Sequence, residues 1–281
     1  MNKLQKTLFC AGFGYVAECL SKRAEMKGVQ IIATTRSEEK ANQLRSSGVL
    51  PLIIGKDDIA AAVPEQAHWL ISAPPEETGC PIYELAGAHA GTAAWIGYLS
   101  TTGVYGDRNG GWVFEWSNTA PNSTRGERRV HAEQQWLSLD RPAHLFRLPG
   151  IYGPGRSAFD RLDEGNARRI IKKDQVFSRV HVDDIVRCLL ASMSRPNPGR
   201  VYHACDDEAA PPQDVIEFAA RLAGYDVPPD LPIEIVKLSP MARSFYDECK
   251  RVSNARTKSE LGWTPKYPTY REGLKAILKK Q

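Results

Sequence analysis

Short apolar runs alternate with amphipathic segments along the first half of the chain. Three segments with apolar residues at helical spacing are Tyr15–Lys27, Glu38–Ser47 and Glu127–Leu139. Six apolar runs have the length of strands: Thr7–Ala11, Gln30–Thr34, Leu50–Ile54, Trp69–Ser72, Trp95–Ser100 and Ala143–Leu148. This alternation is typical of successive βα units, so it predicts an α/β fold built on a parallel sheet. The stretch between Pro74 and Ala94 has helical content but many helix breakers, and no element is assigned to it.

The pattern changes near residue 150, where proline and glycine become frequent, as in Gly153-Pro154-Gly155. Shorter elements are predicted beyond this point: helices over Val182–Met193 and Gln213–Ala223, and a strand near Arg200–Ala204. We therefore expect a first domain over residues 1–150 and a smaller C-terminal lobe over residues 151–281, with segments of the second returning to the first sheet.

Composition and charge exclude several classes of protein. The 281 residues carry a net charge of +4, and the basic residues are scattered, with pairs such as Lys172-Lys173 and Lys279-Lys280 as the longest clusters. This pattern gives no indication of a nucleic-acid partner. No apolar run approaches the ~20 residues of a membrane helix. The six cysteines have neither CxxC nor zinc-site spacing, so we expect a cytoplasmic protein with free thiols and no metal site.

The N-terminal segment has one feature of a secretory signal, because Lys3 and Lys6 precede an apolar stretch over Thr7–Ala17. Charged residues follow at once, at Glu18 and Lys22. The glycines inside the stretch also have a better explanation, so we interpret the segment as part of the fold.

Those glycines form a phosphate-binding fingerprint between a predicted strand and a predicted helix, Gly12-Phe13-Gly14-Tyr15-Val16-Ala17. The first glycine permits a tight turn, the second lets the backbone approach a pyrophosphate, and the small Ala17 lets helix and strand pack closely. The helix N-terminus directs N–H groups at the phosphates. The alternative is a purely structural glycine turn. The fingerprint predicts a Rossmann-type doubly wound sheet whose first domain binds a dinucleotide through Gly12, Phe13, Gly14, Tyr15 and Val16.

The residues at the end of the second strand bear on the choice of dinucleotide. NAD-binding versions of the fingerprint place an acid there to hold the ribose 2′-hydroxyl. This chain has Thr35-Arg36-Ser37, with no acid before Glu38. Arg36 can pair with a 2′-phosphate, and Thr35 and Ser37 can add hydrogen bonds. We therefore expect NADP to be preferred over NAD, the alternative being that Arg36 is only a solvated residue at the start of a helix.

Three further strand ends carry small or polar residues: Ser72-Ala73-Pro74, Ser100-Thr101-Thr102 and Leu148-Pro149-Gly150-Ile151. Ligands of open parallel sheets lie outside the carboxyl ends of the strands. We expect Ser72, Ala73, Pro74, Ser100, Pro149, Gly150 and Ile151 to contact the cofactor, although any one of these segments could be a plain turn.

Several motifs, in this order along the chain, resemble the extended short-chain dehydrogenases/reductases, the group that contains nucleotide-sugar epimerases and dehydratases. They are Ser100-Thr101-Thr102-Gly103-Val104-Tyr105-Gly106, Arg147-Leu148-Pro149-Gly150-Ile151-Tyr152-Gly153-Pro154-Gly155, Val180-His181-Val182-Asp183-Asp184-Ile185, and Glu260-Leu261-Gly262-Trp263-Thr264-Pro265 with Tyr270-Arg271-Glu272-Gly273-Leu274. The resemblance runs from about Phe9 to Leu274. It implies a smaller C-terminal substrate lobe, in which His181 and Asp183-Asp184 serve packing and hydrogen bonding.

The resemblance also implies a Tyr-x-x-x-Lys pair on a helix, and here the chain departs from the pattern. The tyrosine position falls on Arg125 and the lysine position on Arg129. Arginine stays protonated, so neither residue can donate the proton of an ordinary reductase. Arg129 can still hold the cofactor ribose, and Arg125 can anchor an anionic substrate. The alternative is a surface ladder of these arginines with Glu127 and Glu133.

The function that follows is an NADP-binding oxidoreductase-like protein that moves a hydride to a carbonyl or sugar substrate. Ser100 or Thr101 would bind the substrate oxygen, and Tyr105 is the remaining candidate for an acid. One alternative is a non-catalytic redox sensor, which the loss of the Tyr/Lys pair favours. Another is a sugar-nucleotide epimerase, whose anionic small-molecule substrate would meet Arg125, Arg156 or Arg179.

Overall fold

The computed structural model describes residues 6–279, so Lys3 and Lys280 of the sequence analysis lie outside the described residues. The strands are β1 Thr7–Ala11, β2 Gln30–Thr35, β3 Leu50–Ile53, β4 His68–Ile71, β5 Trp95–Thr101, β6 Trp112–Val113, β7 His144–Leu148, β8 Gly150–Tyr152, β9 Arg169–Ile171, β10 Arg179–His181, β11 Val201–Tyr202, β12 Asp230–Pro232 and β13 Arg251–Val252. The α-helices are α1 Tyr15–Ser21, α2 Glu38–Ser46, α3 Ile59–Ala62, α4 Pro81–Ala90, α5 Thr124–Leu137, α6 Ala158–Asp163, α7 Val182–Ser194, α8 Pro212–Ala223, α9 Pro240–Tyr246, α10 Ala255–Leu261 and α11 Tyr270–Leu278.

Seven strands form one sheet in the order β11-β7-β5-β4-β1-β2-β3. The pairs of β1 with β2 and β4 are parallel, and Phe9 lies opposite both Ile32 and Trp69. This confirms the predicted α/β class with a doubly wound sheet. The strand order reverses between β1 and β4, because β2 and β3 continue on one side of β1 and the later strands on the other. Such a reversal opens a crevice at the carboxyl ends of the two strands.

The apolar runs of the sequence form the centre of this sheet. All five residues of β1 and all four of β4 are buried, as expected of strands covered by helices on both faces. The rings of Phe9 and Trp69 meet edge to face with their centroids 4.6 Å apart. Burial on both faces explains why these strands were visible in the sequence as continuous apolar runs.

The helices depart from the sequence-based prediction most clearly in α1, α5 and α4. Helix α1 ends at Ser21 rather than Lys27, because Arg23 has an extended backbone (ψ 148°) that stops the helix before a short 3₁₀ turn. Helix α5 begins at Thr124, before the predicted Glu127. The unassigned stretch contains α4, which starts on Pro81, a position where proline is preorganised for a helix.

The chain divides into two compact units. The first contains the chain up to Thr101 together with Thr124–Arg147 and Val186–Tyr202, and the second contains Thr102–Ser123, Leu148–Ile185 and the chain from His203 onward. The chain therefore passes into the second unit near the expected residue 150, but it also visits that unit earlier, over Thr102–Ser123. The return of Val186–Tyr202 places β11 beside β7 in the large sheet.

The second unit has its own core and three short parallel strand pairs, β8 with β10, β9 with β12 and β6 with β13. Tyr152, Phe159, Ile216 and Leu274 belong to one buried cluster in this unit. No helix within the described part of the chain is both long and apolar enough to cross a membrane.

Candidate functional site

The turn after β1 requires its first glycine. Gly12 has a φ of +86°, a region that favours glycine. Its amide donates to Thr34 Oγ1 at 2.8 Å, and its carbonyl accepts from Ser72 Oγ at 2.9 Å. A Cβ on Gly12 would lie 3.1 Å from Ser72 Oγ and 3.3 Å from the amide nitrogen of Ala73. Hydrogen bonds with Thr34 in β2 and with Ser72 after β4 therefore hold the turn in one conformation.

The second glycine has a different environment. Gly14 precedes α1 with ordinary extended backbone (φ −96°), and no side chain caps the helix. A Cβ on Gly14 would find no atom within 4 Å, so the space beside this backbone is open. Ala17, one turn further on, is completely buried. The crowding at Gly12, the open space at Gly14 and the burial of Ala17 correspond to the three roles that the fingerprint assigns to these positions.

The end of β2 carries an ion pair that the sequence did not indicate. Arg36 Nη2 lies 2.9 Å from Glu76 Oε1, and both side chains are more than half exposed. Ser37 Oγ caps α2 by accepting from the Lys40 amide at 3.3 Å, and Thr35 is buried. NAD-binding chains carry their ribose-binding acid at the end of β2, whereas Glu76 comes from the segment that follows β4.

The segment after β4 runs along the end of β1. The amides of Ser72 and Ala73 both donate to the Ala11 carbonyl, at 2.9 and 2.8 Å. Ala73 is buried, while Pro74 is exposed. Within the first unit, the ends of β1, β2 and β4 therefore form one edge that carries the glycine turn, Arg36 and Glu76.

Ser100, in β5, belongs to a buried ionic network. Its Oγ donates to Glu133 Oε1 at 2.5 Å, and Arg147 binds the same carboxylate with two hydrogen bonds of 3.0 and 2.7 Å. The side chains of Glu133 and Arg147 are 4% and 8% exposed. A hydroxyl has one proton to donate, and Ser100 uses it here. The Ser100 proton is thus directed at Glu133, and the binding of a substrate oxygen by Ser100 or Thr101 stays a prediction.

Arg125 and Arg129, which we expect at the Tyr and Lys positions, lie in the first turns of α5. Arg129 is half-buried, and its Nη1 donates to the Leu99 carbonyl at 2.9 Å and to the Tyr98 hydroxyl at 3.1 Å. Arg125 lies one turn closer to the helix start and is exposed. Burial raises the pKa of Tyr98 above its ordinary value, against the opposing effect of the Arg129 charge. Tyr98 therefore stays protonated as a partner of Arg129. The predicted ladder of Arg129 with Glu133 is not formed, since Glu133 pairs with Arg147.

Tyr105 is completely buried within the second unit. Its hydroxyl hydrogen-bonds His203 Nε2 at 2.6 Å and lies 3.1 Å from the Phe114 carbonyl oxygen. His203 Nδ1 in turn lies 2.7 Å from the Ser253 carbonyl oxygen. These contacts give Tyr105 a structural role in the second unit, and its assignment as the catalytic acid stays a prediction that they do not support.

Arg179 is also a structural residue. Its Nη1 donates to the carbonyls of Phe177 and Ala210 at 2.8 and 3.1 Å. Burial lowers the pKa of its guanidinium, and the nearby Asp206 carboxylate opposes that shift. These contacts do not support the prediction that Arg179 binds a substrate phosphate, which stays untested, and Arg156 is exposed.

The motif around His181 and Asp184 holds the second unit together. The Asp184 carboxylate accepts from the amides of Lys266 and Tyr267 at 2.6 and 3.0 Å. His181 Nδ1 accepts from the Asp183 amide at 3.1 Å. These contacts agree with the packing role that the resemblance implied. Gly150 and Ile151 lie in β8, which pairs with β10, and Pro149 precedes that strand. Their contact with a cofactor stays a prediction.

The second unit also has a cavity of about 490 Å³ that the sequence analysis missed. Its lining combines polar residues, among them Lys172, Asp174 and Arg251, with apolar ones such as Val176 and Pro211. Lys172 Nζ donates to the Tyr246 carbonyl, and Arg251 Nη1 donates to the Gly110 carbonyl. These lining residues are dispersed in sequence, so no local pattern marked them.

Comparisons with known proteins agree with this arrangement. No protein-family model matches the chain. A solved structure of a conserved protein of unknown function from Silicibacter pomeroyi DSS is 47% identical, with a TM-score of 0.92 over 98% of this chain and 99% of that one. The human epimerase family protein SDR39U1 (isoform 2), solved with NADPH, has a TM-score of 0.76 at 15% identity over 99% of this chain and 100% of that one. A 3-diazoavenalumate denitrifying reductase from a Streptomyces species is 30% identical over 161 residues, which are 52% of this chain and 51% of that protein.

The fold is that of the human epimerase family protein and of an epimerase/dehydratase structure from Methylobacillus flagellatus, as the sequence motifs indicated. The chain belongs to the same family as the Silicibacter pomeroyi protein. The chain spans about half the length of the curated reductase that it matches.

Proposed function

We propose that this protein is a nicotinamide dinucleotide-dependent oxidoreductase whose cofactor binds at the carboxyl edge of the seven-stranded sheet. The observation that carries the proposal is the pair of glycines after β1, one locked at a φ of +86° and the other beside open space. A bound nicotinamide dinucleotide would supply a hydride donor or acceptor. The structural likeness to a protein solved with NADPH and the sequence match to a reductase support this choice.

The residues at this edge fit such a cofactor. The backbone of Gly12, Phe13 and Gly14 would receive the pyrophosphate, with Tyr15 and Val16 starting the helix beside it. Ser72, Ala73 and Pro74 would bound the site on the β4 side. Arg129 is anchored to the end of β5 by its two hydrogen bonds, and we assign it to the nicotinamide ribose.

We propose a preference for NADP over NAD because Arg36 stands where NAD-binding chains place an acid. A hydrogen bond to a charged group contributes about 1.5–3 kcal/mol, enough for roughly a tenfold preference or more. Arg36 is exposed, so a phosphate can reach it from solvent, although its pairing with Glu76 lowers the preference below that value.

The substrate we propose is a small anionic molecule with a carbonyl or a comparable hydride acceptor, with the exposed Arg125 as its anchor. Thr101, at the end of β5, is the hydroxyl that we propose for binding the substrate oxygen. Arg125 and Arg129 also favour a second candidate, a protein that binds the dinucleotide without turnover and acts as a redox sensor, because an arginine cannot donate the proton that carbonyl reduction requires. An epimerase is less favoured, since Arg179 is committed to backbone carbonyls.

Calorimetric titration of NADPH and NADH tests the cofactor assignment. We expect wild-type protein to bind both dinucleotides and Gly14→Val to bind neither, because the added side chain would occupy the open space beside the turn. Gly14 has an ordinary φ, so the variant should fold, which circular dichroism would verify. Gly91→Ala, at the C-terminal end of α4 and also at an ordinary φ of −58°, is the matched control. Retained binding by folded Gly14→Val would refute the proposed site.

A further inference from the structure

The pairing of Arg36 with Glu76 joins two segments that lie 40 residues apart in the chain. Arg36 follows β2, and Glu76 comes from the segment after β4. Both strands flank β1 in parallel, so their carboxyl ends lie at one edge of the sheet. The segment after β4 therefore crosses the end of β1. It brings the Glu76 carboxylate to the end of β2, where NAD-binding chains carry an acid and this chain carries Arg36.

Glu76 is held in place by an anchored turn. Its amide and carbonyl both hydrogen-bond Gly79, at 2.7 and 3.3 Å. Gly79 has a φ of +116°, and the place of a Cβ there is filled by the Gln135 side chain. Gln135 Oε1 accepts from the Cys80 amide at 2.7 Å, and its Nε2 donates to the Thr78 carbonyl at 3.3 Å. The backbone of Glu76 is thus fixed from α5, although its side chain is exposed.

We infer that Glu76 is a specificity-determining residue at the adenosine ribose of the cofactor. Its carboxylate competes with the 2′-phosphate of NADP for Arg36. The inference rests on the proposed function. The two members of the pair favour different cofactors. Arg36 attracts the phosphate of NADP, whereas the Glu76 carboxylate repels that phosphate and can accept a hydrogen bond from the 2′-hydroxyl of NAD.

The competition is weak enough to be overcome. Exposed ion pairs contribute little to stability, because water screens them and two side chains must be ordered. A phosphate with nearly two negative charges can therefore displace the carboxylate from Arg36, but the displaced carboxylate remains close by on its anchored turn. The preference for NADP over NAD is therefore smaller than it would be if Arg36 had no carboxylate beside it.

The test is calorimetric titration of NADPH and NADH into wild-type protein, Glu76→Gln, and Glu65→Gln as the control. Glu65 is an exposed carboxylate that precedes β4 and so lies toward the amino ends of the strands. Glu76→Gln should tighten NADPH binding about two- to fivefold, the range expected for removing one exposed competitor and its charge, while NADH binding is unchanged or weaker. Glu65→Gln should change both affinities by less than about twofold, because salt screens a distant charge.

The same measurements contain the results that would overturn the inference. If wild-type protein binds both dinucleotides but Glu76→Gln leaves their affinity ratio unchanged, Glu76 does not determine specificity. The effect of Glu76→Gln on NADPH should also shrink in an Arg36→Ala background, and an undiminished effect would contradict competition for Arg36. If wild-type protein binds neither dinucleotide, the proposed function itself fails, and the inference fails with it.

Discussion

The buried network of Ser100, Glu133 and Arg147 provides the sharpest test of how this edge of the sheet is held. Glu133→Gln keeps the shape of the side chain and removes its charge. Arg147, with an 8% exposed side chain, would lose its doubly hydrogen-bonded counterion. Leaving one member of a buried pair without its partner costs about 3–5 kcal/mol. That is a large fraction of the ~5–15 kcal/mol that separates folded from unfolded protein.

Urea unfolding followed by circular dichroism measures this loss. We expect Ser100→Ala to cost less, about 1–3 kcal/mol, because it removes one hydrogen bond to a charged group. A Glu133→Leu, Arg147→Met double variant should be more stable than Glu133→Gln, since no charge remains buried. At low temperature the folded variants should still bind dinucleotide, which would show that the network stabilises the fold and does not itself bind the cofactor.

Two results would refute this reasoning. A loss below about 1 kcal/mol for Glu133→Gln would mean that Arg147 is not dependent on this carboxylate. A double variant less stable than Glu133→Gln would mean that packing, rather than charge, dominates at this position.

Three further predictions concern the arginine pair, the histidines and the second unit. Arg129→Ala should weaken NADPH binding in calorimetry, whereas Arg125→Ala should spare it and affect only substrate binding, and equal losses would contradict the division of roles. Burial lowers the pKa of His68 and of His144 to about 4, below the ~6.5 of an unfolded chain; the unfolded protein therefore takes up protons first as the pH falls from about 6.5 toward 4. The free energy of unfolding should drop by roughly 2 kcal/mol per histidine at pH 5 relative to pH 7, and a flat profile between these values would disprove it. Gly273→Ala should lower the free energy of unfolding by about 1–3 kcal/mol through overpacking, because its Cβ would overlap the Tyr152 hydroxyl. Adding Tyr152→Phe should restore part of this loss. If it restores nothing, the strain lies elsewhere.

The sequence by itself determined the α/β class, most strand positions and the glycine turn. These features are local or periodic: a strand buried on both faces must be apolar throughout, as β1 and β4 are. A turn at φ +86° disfavours most residues other than glycine, so the role of Gly12 can be predicted from the local sequence alone. The assignment of Arg125 and Arg129 to the Tyr and Lys positions also came from a count along one helix, and it stays a prediction.

Only the tertiary structure decided which polar side chains are committed to other partners. Ser100 and Tyr105 were both placed in the site from their motif, yet one donates to Glu133 and the other lies buried against His203, 98 residues away. Glu76 was overlooked because its partner Arg36 is 40 residues distant. Hydrogen bonds depend on distance and direction in space, and adjacent parallel strands bring remote segments to one edge. A sequence pattern therefore specifies which groups a chain carries, whereas the folded sheet determines which of them remain for a ligand.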